Sequence, residues 1–312
     1  MTPGARSAVA LVGPTASGKS ALAHELALEA KGAIELLSVD AMSVYRGMDL
    51  GTAKPTPHER SEVSYHLLDL VEPSDEFTVA QFQREAARAS QLVFEHGHRV
   101  LYVGGTGLYG RAVIDGLDIP ARYPAIRELL DARAKDELPA LYEELLELDP
   151  LAASRLEATN ERRVVRALEV TLGARRPFSS YGEGLMNYGP VRVVQVGLDC
   201  DLEVLDDRVS RRFRRWMEQG LLDEVTRLAS SPAGMSRTAR QAVGYRELLR
   251  HVEEGEPLER CVEDAITQSR RLARRQRSWF RRDPRIEWYR DQAAARIRLN
   301  EVLNGPDGFV RD

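Results

Sequence analysis

Residues 13–20 read G-P-T-A-S-G-K-S, and their neighbours on both sides restrict the fold more than any other stretch. Ahead of the loop, A-V-A-L-V-G (8–13) is an apolar run of strand length. Behind it, residues 18–30 carry Leu22, Leu26 and Ala30 four apart, the spacing of a helix with one buried face. A buried strand, a glycine loop and a helix in this order open a parallel β-α-β unit. Every fixed position of G-x-x-x-x-G-K-[ST] is filled, so the loop matches the phosphate-binding motif in its expected context. Gly13, Pro14, Thr15, Ala16, Ser17, Gly18, Lys19 and Ser20 are the expected anion cradle. Glycines let backbone N–H groups turn inward, and the helix N-terminus adds its positive dipole end. Lys19 is placed to bridge phosphate oxygens, and the Ser20 hydroxyl to help hold Mg²⁺. The motif specifies a polyphosphate or diphosphate without saying which one.

The pattern repeats downstream. I-E-L-L-S-V-D (34–40) reads as a second strand ending in a carboxylate, and R-V-L-Y-V-G-G (99–105) as a third, preceded by a helix over residues 80–96. Alternating strands and helices predict an α/β fold, a parallel sheet with flanking helices whose functional groups gather at the carboxyl ends of the strands. That rim holds the phosphate loop, Asp40 and the G-G-T-G turn at residues 104–107. From about residue 118 the texture changes. Residues 124–172 read as helical throughout, and residues 176–190, rich in Pro, Gly, Ser and Tyr, as a loop. Strand character returns at V-R-V-V-Q-V-G-L-D (191–199), with helices from there to about Phe280. The expectation is a catalytic core of residues 1–117 with 191–312, interrupted by an all-helical insertion over residues 118–190. The segment after Asp291 gives no pattern.

Composition narrows the class. At 43% apolar and 29% charged residues over 312 positions, the chain has the balance of a globular protein with a real core. No run has the length of a membrane span, and M-T-P-G-A-R-S at the N-terminus lacks a signal-peptide pattern, so a cytoplasmic monomer without membrane contact is expected. Cys200 and Cys261 read as buried thiols of a reducing compartment. A net charge of −4 argues against indiscriminate coating of nucleic acid. Yet residues 270–290 concentrate arginine (270, 271, 274, 275, 277, 281, 282, 285, 290), and that segment suits phosphates or, equally, a solvated helix face. Lysine is scarce. Lys19 and Lys54, two of four, fall in motif-like stretches where a compact ammonium differs from a guanidinium.

ATP is the usual occupant of such a loop, so a small-molecule kinase is one reading, and Asp40 fits it. The third strand fits less well, since V-L-Y-V-G-G-T-G ends in glycines and a threonine where many nucleotide hydrolases place a carboxylate.

The ordered set of motifs points elsewhere. It comprises the phosphate loop, S-V-D-A-M-S-V-Y-R-G-M-D-L-G-T-A-K-P (38–55), H-L-L-D (66–69), V-G-G-T-G-L-Y (103–109), R-A-L-E-V (166–170), A-V-G-Y-R-E-L (242–248) and R-R-Q-R-S-W-F (274–280). Together they resemble the bacterial tRNA dimethylallyltransferases, from about Val9 to Trp288. The resemblance implies transfer of a dimethylallyl group from dimethylallyl diphosphate to N6 of the adenosine 3′-adjacent to the anticodon, with Mg²⁺ and the tRNA anticodon stem-loop as partners. Under it, Lys19, Asp40 and Thr106 are the catalytic residues, with Asp40 as general base and Thr106 contacting the target nucleotide. The tRNA-binding set it implies is Asp40, Ala41, Met42, Ser43, Thr106, Arg127, Arg162, Arg163, Val164, Val165 and Arg166. Val164, Val165 and Leu168 are also placed to pack behind the arginines. The basic stretch of residues 269–282 is assigned to phosphate positioning. Gln241, Gly244, Tyr245 and Arg246 are expected to close over the diphosphate rim. Family members commonly read S-V-D-S-M-Q-V-Y, so Ala41 and Ser43 depart from the pattern, and Ser43 would need a water or a closer approach to reach an adenine edge. Prenylation of free adenine nucleotides and non-catalytic RNA binding are the remaining alternatives.

Overall fold

The structure is a computed structural model, and it describes residues 8–181, 185 and 187–305. The N-terminal M-T-P-G-A-R-S and part of the expected loop over residues 176–190 lie outside the described residues. The chain divides into two compact units, Met1–Ile114 with Pro190–Asp312, and Asp115–Gly189.

In chain order the first unit begins β1 (Val9–Val12), α1 (Lys19–Glu29), β2 (Ile34–Val39), α2 (Pro57–Glu62), β3 (Tyr65–His66), α3 (Val79–Glu95), β4 (Arg99–Gly104) and α4 (Gly107–Ile114). The second unit contains α5 (Pro124–Leu148), α6 (Pro150–Ala153) and α7 (Glu161–Ala174). The first unit then resumes with β5 (Val194–Leu198), α8 (Leu202–Glu218), α9 (Leu221–Ala229), α10 (Arg237–Arg240), α11 (Tyr245–Glu254), α12 (Leu258–Phe280), β6 (Ile286–Tyr289) and α13 (Gln292–Asn304). The six strands form one parallel sheet in the order β3-β2-β4-β1-β5-β6. Alternation along the strands divides the core. Ala10, Val12, Leu37, Val39, Val100 and Tyr102 meet helices on one face, while Val9, Leu11, Ile34, Leu36, Leu101 and Val103 meet Leu22 and Leu26 of α1 on the other. Both faces are covered, so the strands read as unbroken apolar runs. Burying each such side chain stabilises by about 1.5–3 kcal/mol.

Four elements differ from the sequence reading. β3 and β6 are edge strands of two and four residues, too short to show a period. The segment after Asp291 is an ordered helix, α13. Asp291 caps it by accepting from the Ala293 N–H at 3.0 Å, and Ala295, Leu299, Val302 and Leu303 bury its face beside α1. The expected continuous helicity over residues 124–172 is interrupted. α5 kinks at Glu137 (φ −121°), two residues before Pro139, and Asp149 and Asn160 begin new helices by accepting N–H groups of Ala152 and Arg163. Cys261 is buried as expected, but Cys200 is half-buried. Among the described residues, no helix is long and apolar enough to cross a membrane.

Candidate active site

The carboxyl ends of β1, β2 and β4 open into a cavity of about 660 Å³ that lies wholly within the first unit. The phosphate loop forms one wall. Gly18 takes φ +97° as it caps α1, a conformation that a side chain would strain. Gly104 solves a different problem: a Cβ there would lie 2.1 Å from the Val39 carbonyl oxygen, so only glycine lets β4 pass beside the end of β2. That close passage sets Thr106 against Asp40.

Lys19 is buried, and its Nζ donates to the Pro14 carbonyl at 3.1 Å. Burial, reinforced by the Arg212 guanidinium and opposed by Asp40, pushes its pKa down to about 8. Arg212 is pushed down as well, to about 10, again chiefly by burial and again opposed by Asp40. Two cations thus share a poorly solvated wall with one carboxylate as their common counter-charge. An anion arriving in the loop would relieve that imbalance, so the wall is built to receive one. Ser20 is exposed on the same wall.

Asp40 is fixed through one oxygen. Its Oδ1 accepts the N–H groups of Met42 (2.8 Å) and Ser43 (3.2 Å). The Thr106 hydroxyl accepts from the Ala41 N–H at 3.2 Å and is directed at Asp40 Oδ2 with a long 3.5 Å separation. Oδ2 therefore keeps proton-accepting capacity at the cavity wall, while the opposite oxygen and Thr106 hold the carboxylate in place.

The structure thus brings Lys19, Ser20, Asp40, Met42 and Thr106 to one site, and it relocates several others. Ser43 lines the cavity but is largely buried, with its hydroxyl 3.2 Å from Ser38 Oγ. Ala41 packs its side chain against the core and contributes only its N–H. Lys54 reaches no phosphate position. Its ammonium is 1% exposed and donates to the Tyr45 carbonyl (2.6 Å), Asp49 (2.8 Å) and Asp69 (2.5 Å). Tyr245 and Arg246 do not close over the rim: Tyr245 is fully buried with its hydroxyl on Glu224, and Arg246 pairs with Glu247. Glu224 also accepts the N–H groups of Asp49 (3.1 Å) and Leu50 (3.0 Å), which suspends residues 49–55 along the cavity.

The arginines of residues 270–290 are largely committed within the chain. Arg277 and Arg281 pair with buried Asp199 at 2.8 and 2.7 Å, Arg274 with Asp206, Arg285 with Asp283 at 2.6 Å, and Arg290 with Asp201 at 3.2 Å. Burial alone would raise the Asp199 carboxyl, but Arg281 and Arg277 hold it below the usual range.

The basic helix at the cavity is α8, which the sequence reading passed over. Arg208, Arg211, Arg212 and Arg215 line the cavity from it. Arg212 donates to Thr15 Oγ1 at 2.6 Å and lies 4.6 Å over the Trp216 ring. Gln276 of α12 accepts the Thr15 N–H at 2.8 Å, so two distant helices brace the loop. The signal was present as two i, i+4 arginine pairs beside the apolar stripe Leu205, Val209 and Phe213.

In the second unit, Val164 and Val165 are fully buried among Leu130, Leu141 and Leu145. They cannot touch RNA and instead fix the helix that carries Arg162, Arg163 and Arg166. Arg162 and Arg163 are exposed. Arg166 and Arg127 surround the buried Glu169, at 2.8 and 3.7 Å, and Arg166 also donates to the Pro120 carbonyl at 2.9 Å.

A phosphate loop at the carboxyl ends of a parallel sheet, beside a tethered carboxylate, suits a transferase acting on a phosphorylated donor. Comparison with known proteins agrees. The model of the IPP transferase family matches residues 43–283, and the chain belongs to that family. It is 42% identical over 286 residues to the tRNA dimethylallyltransferase of Bifidobacterium animalis subsp. lactis, covering 90% of this chain and 81% of the relative. Against the enzyme of that name from Salinispora tropica it is 43% identical over 283 residues, covering 90% and 87%. The crystal structure of the full-length tRNA isopentenylpyrophosphate transferase of Bacillus halodurans aligns with a TM-score of 0.69 at 34% identity, covering 96% of both chains. A eukaryotic dimethylallyltransferase acting on tRNA shares the fold, with a TM-score of 0.78 at 24% identity, covering 96% of this chain and 79% of the other.

Proposed function

We propose that this chain is a tRNA dimethylallyltransferase that moves the dimethylallyl group of dimethylallyl diphosphate onto N6 of the adenosine 3′-adjacent to the anticodon. One observation carries the reading: the cationic phosphate loop and Asp40 line a single cavity, with the Thr106 hydroxyl directed at the Asp40 carboxylate. The loop takes the diphosphate. As the allylic carbon–oxygen bond breaks, its electron pair leaves with the diphosphate, whose growing charge Lys19, Arg212 and the loop N–H groups stabilise. The N6 lone pair forms the new carbon–nitrogen bond, and the N6 proton passes to Asp40 Oδ2. Bringing the base to this point requires extruding it from the anticodon stack, at a cost of about a few kcal/mol. Arg162 and Arg163, exposed on α7, are suited to backbone phosphates that offset part of that cost.

Mg²⁺ suits this site. The Ser20 hydroxyl has no hydrogen-bond partner among the described residues and shares its wall with Asp40, a hard-oxygen set that diphosphate and water would complete. Bound there, the ion would neutralise charge on the leaving diphosphate.

The test is incubation with dimethylallyl diphosphate, Mg²⁺ and unmodified tRNA, with parallel arms containing AMP or ATP in place of tRNA, followed by nucleoside mass analysis. One added dimethylallyl group on adenosine is expected in the tRNA arm alone. Product in the AMP arm, or nucleotide turnover without tRNA, would favour the alternatives.

The lowered pKa of Lys19 gives a second expected result. Well below pH 8 the lysine already carries its charge, so any pH dependence of the affinity there comes from the ligand's own phosphate, whose second pKa is about 6. Above pH 8 binding must take up one proton, and the dissociation constant rises by up to about tenfold per pH unit. Calorimetry in two buffers of different ionisation enthalpy would register that uptake, and its absence through about pH 10 would mean that Lys19 takes up no proton on binding the diphosphate.

A further inference from the structure

At the end of the sheet opposite the cavity, three imidazoles converge on one carboxylate. Glu35 is the second residue of β2, and its side chain is 7% exposed. Its neighbours Ile34 and Leu36 face one core, so Glu35 turns with Leu37 toward the other. A carboxylate there requires compensation. His98, just before β4, places Nδ1 2.6 Å from Oε1, and His66 of β3 places Nε2 2.5 Å from Oε2. These two contacts engage one lone pair on each oxygen and leave the others free.

The third imidazole stands farther off. His96 caps the C-terminus of α3, and Gly97 at φ +80° turns the chain so that residues 96 and 98 lie on the same side. His96 Nδ1 is 3.9 Å from Glu35 Oε1, and the His96 and His98 rings meet edge-on with centroids 5.9 Å apart. One ligand atom from each of Glu35, His96 and His98 lies within 4.8 Å of the others. Tetrahedral coordination at about 2.0–2.2 Å sets ligand atoms somewhat over 3 Å apart, so His96 must approach, while His98 Nδ1 and Glu35 Oε1, now hydrogen-bonded at 2.6 Å, would part slightly as the ion replaced the proton between them. The His96 side chain, 54% exposed, has the freedom to close the gap by rotation.

We propose that Glu35, His96 and His98 bind a borderline divalent cation of the Zn²⁺ class, with His66 orienting the carboxylate from its other oxygen. Two imidazole nitrogens and one carboxylate suit Zn²⁺ or Co²⁺, whereas Mg²⁺ prefers an all-oxygen shell, so this site and the cavity select different ions. The His66 N–H donating to Oε2 is the second-layer contact that fixes a ligating carboxylate. The bound ion would tie the end of α3 and the start of β4 to β2.

The experiment uses the full chain, stripped with chelator and titrated with Co²⁺ in millimolar Mg²⁺. Binding of one equivalent with a tetrahedral visible spectrum is expected, displaced by Zn²⁺, and with it a rise in the unfolding midpoint. His66→Asn should weaken binding by about 10–100-fold, and the double variant His96→Asn/His98→Asn should abolish both the spectrum and the rise in midpoint. If His98→Asn compromises folding, His96→Asn alone, at a half-exposed position, still tests the assignment through the spectrum. No binding by the original chain, or equal binding by the double variant, would overturn the proposal.

Discussion

Asp40→Asn is expected to lower the rate of dimethylallyl transfer at saturating donor by about 10²–10⁴-fold. Asparagine keeps an oxygen for the Met42 and Ser43 N–H groups, which Asp40 Oδ1 accepts at 2.8 and 3.2 Å, so the turn after β2 should survive. What disappears is the proton acceptor at Oδ2. Adenine N6 is a weak nucleophile because its lone pair is delocalised, so the loss should fall on kcat. Single-turnover kinetics with tRNA saturating and the donor concentration varied separates the outcomes. A variant with normal kcat would remove Asp40 from the chemistry, and one with normal kcat but weakened donor binding would assign it to the diphosphate.

Lys54→Met should destabilise the chain by roughly 3 kcal/mol, in the lower range for breaking a buried ion pair. The ammonium is 1% exposed and serves the Tyr45 carbonyl, Asp49 and Asp69. Asp69 retains Arg60 at 2.6 Å, and Asp49 is more than half exposed, which keeps the cost from the upper end. Burial works to raise the Asp69 carboxyl, but Lys54 and Arg60 together hold it below the ordinary carboxylate range. Urea denaturation would register the change as a lower midpoint. Because residues 51–55 line the cavity, transfer activity should fall along with stability. The double variant Lys54→Met/Asp69→Asn should recover part of the stability, since it removes a carboxylate that has lost one partner. No recovery would mean that the Tyr45 and Asp49 contacts dominate.

The centre of the catalytic unit was legible because its physics is local. β1, β2 and β4 announce themselves as apolar runs, and the phosphate loop as a fixed pattern between a strand and a helix. Asp40 and Thr106 were legible as strand-tip residues, and the sheet order explains their meeting, since β2 and β4 are neighbours. The roles of Lys54, Tyr245 and Ser43 were not legible. Each lies in a motif resembling a functional one, and what it does depends on which partner the fold brings to it, such as Glu224 for Tyr245, Asp69 for Lys54 and Ser38 for Ser43. The arginines of α8 were missed for the opposite reason. Their helix carries no motif, and their charge could not be assigned until its packing placed them over the loop. Val164 and Val165, both fully buried, fix the register of α7 and leave Arg162 and Arg163 exposed. α13 could have been read from the Asp291 cap and the 3–4 spacing of Ala295, Leu299 and Val302.

The bracing of the phosphate loop has a consequence for biosynthesis. Thr15 is held by Gln276, 261 residues away, and by Arg212 on a helix formed far later than the loop itself. A ribosome releasing this chain exposes the glycine turn long before either support exists. Nascent N-terminal fragments therefore carry the motif without a finished receptor, and competence to grip the donor arrives only as the last helices leave the exit tunnel.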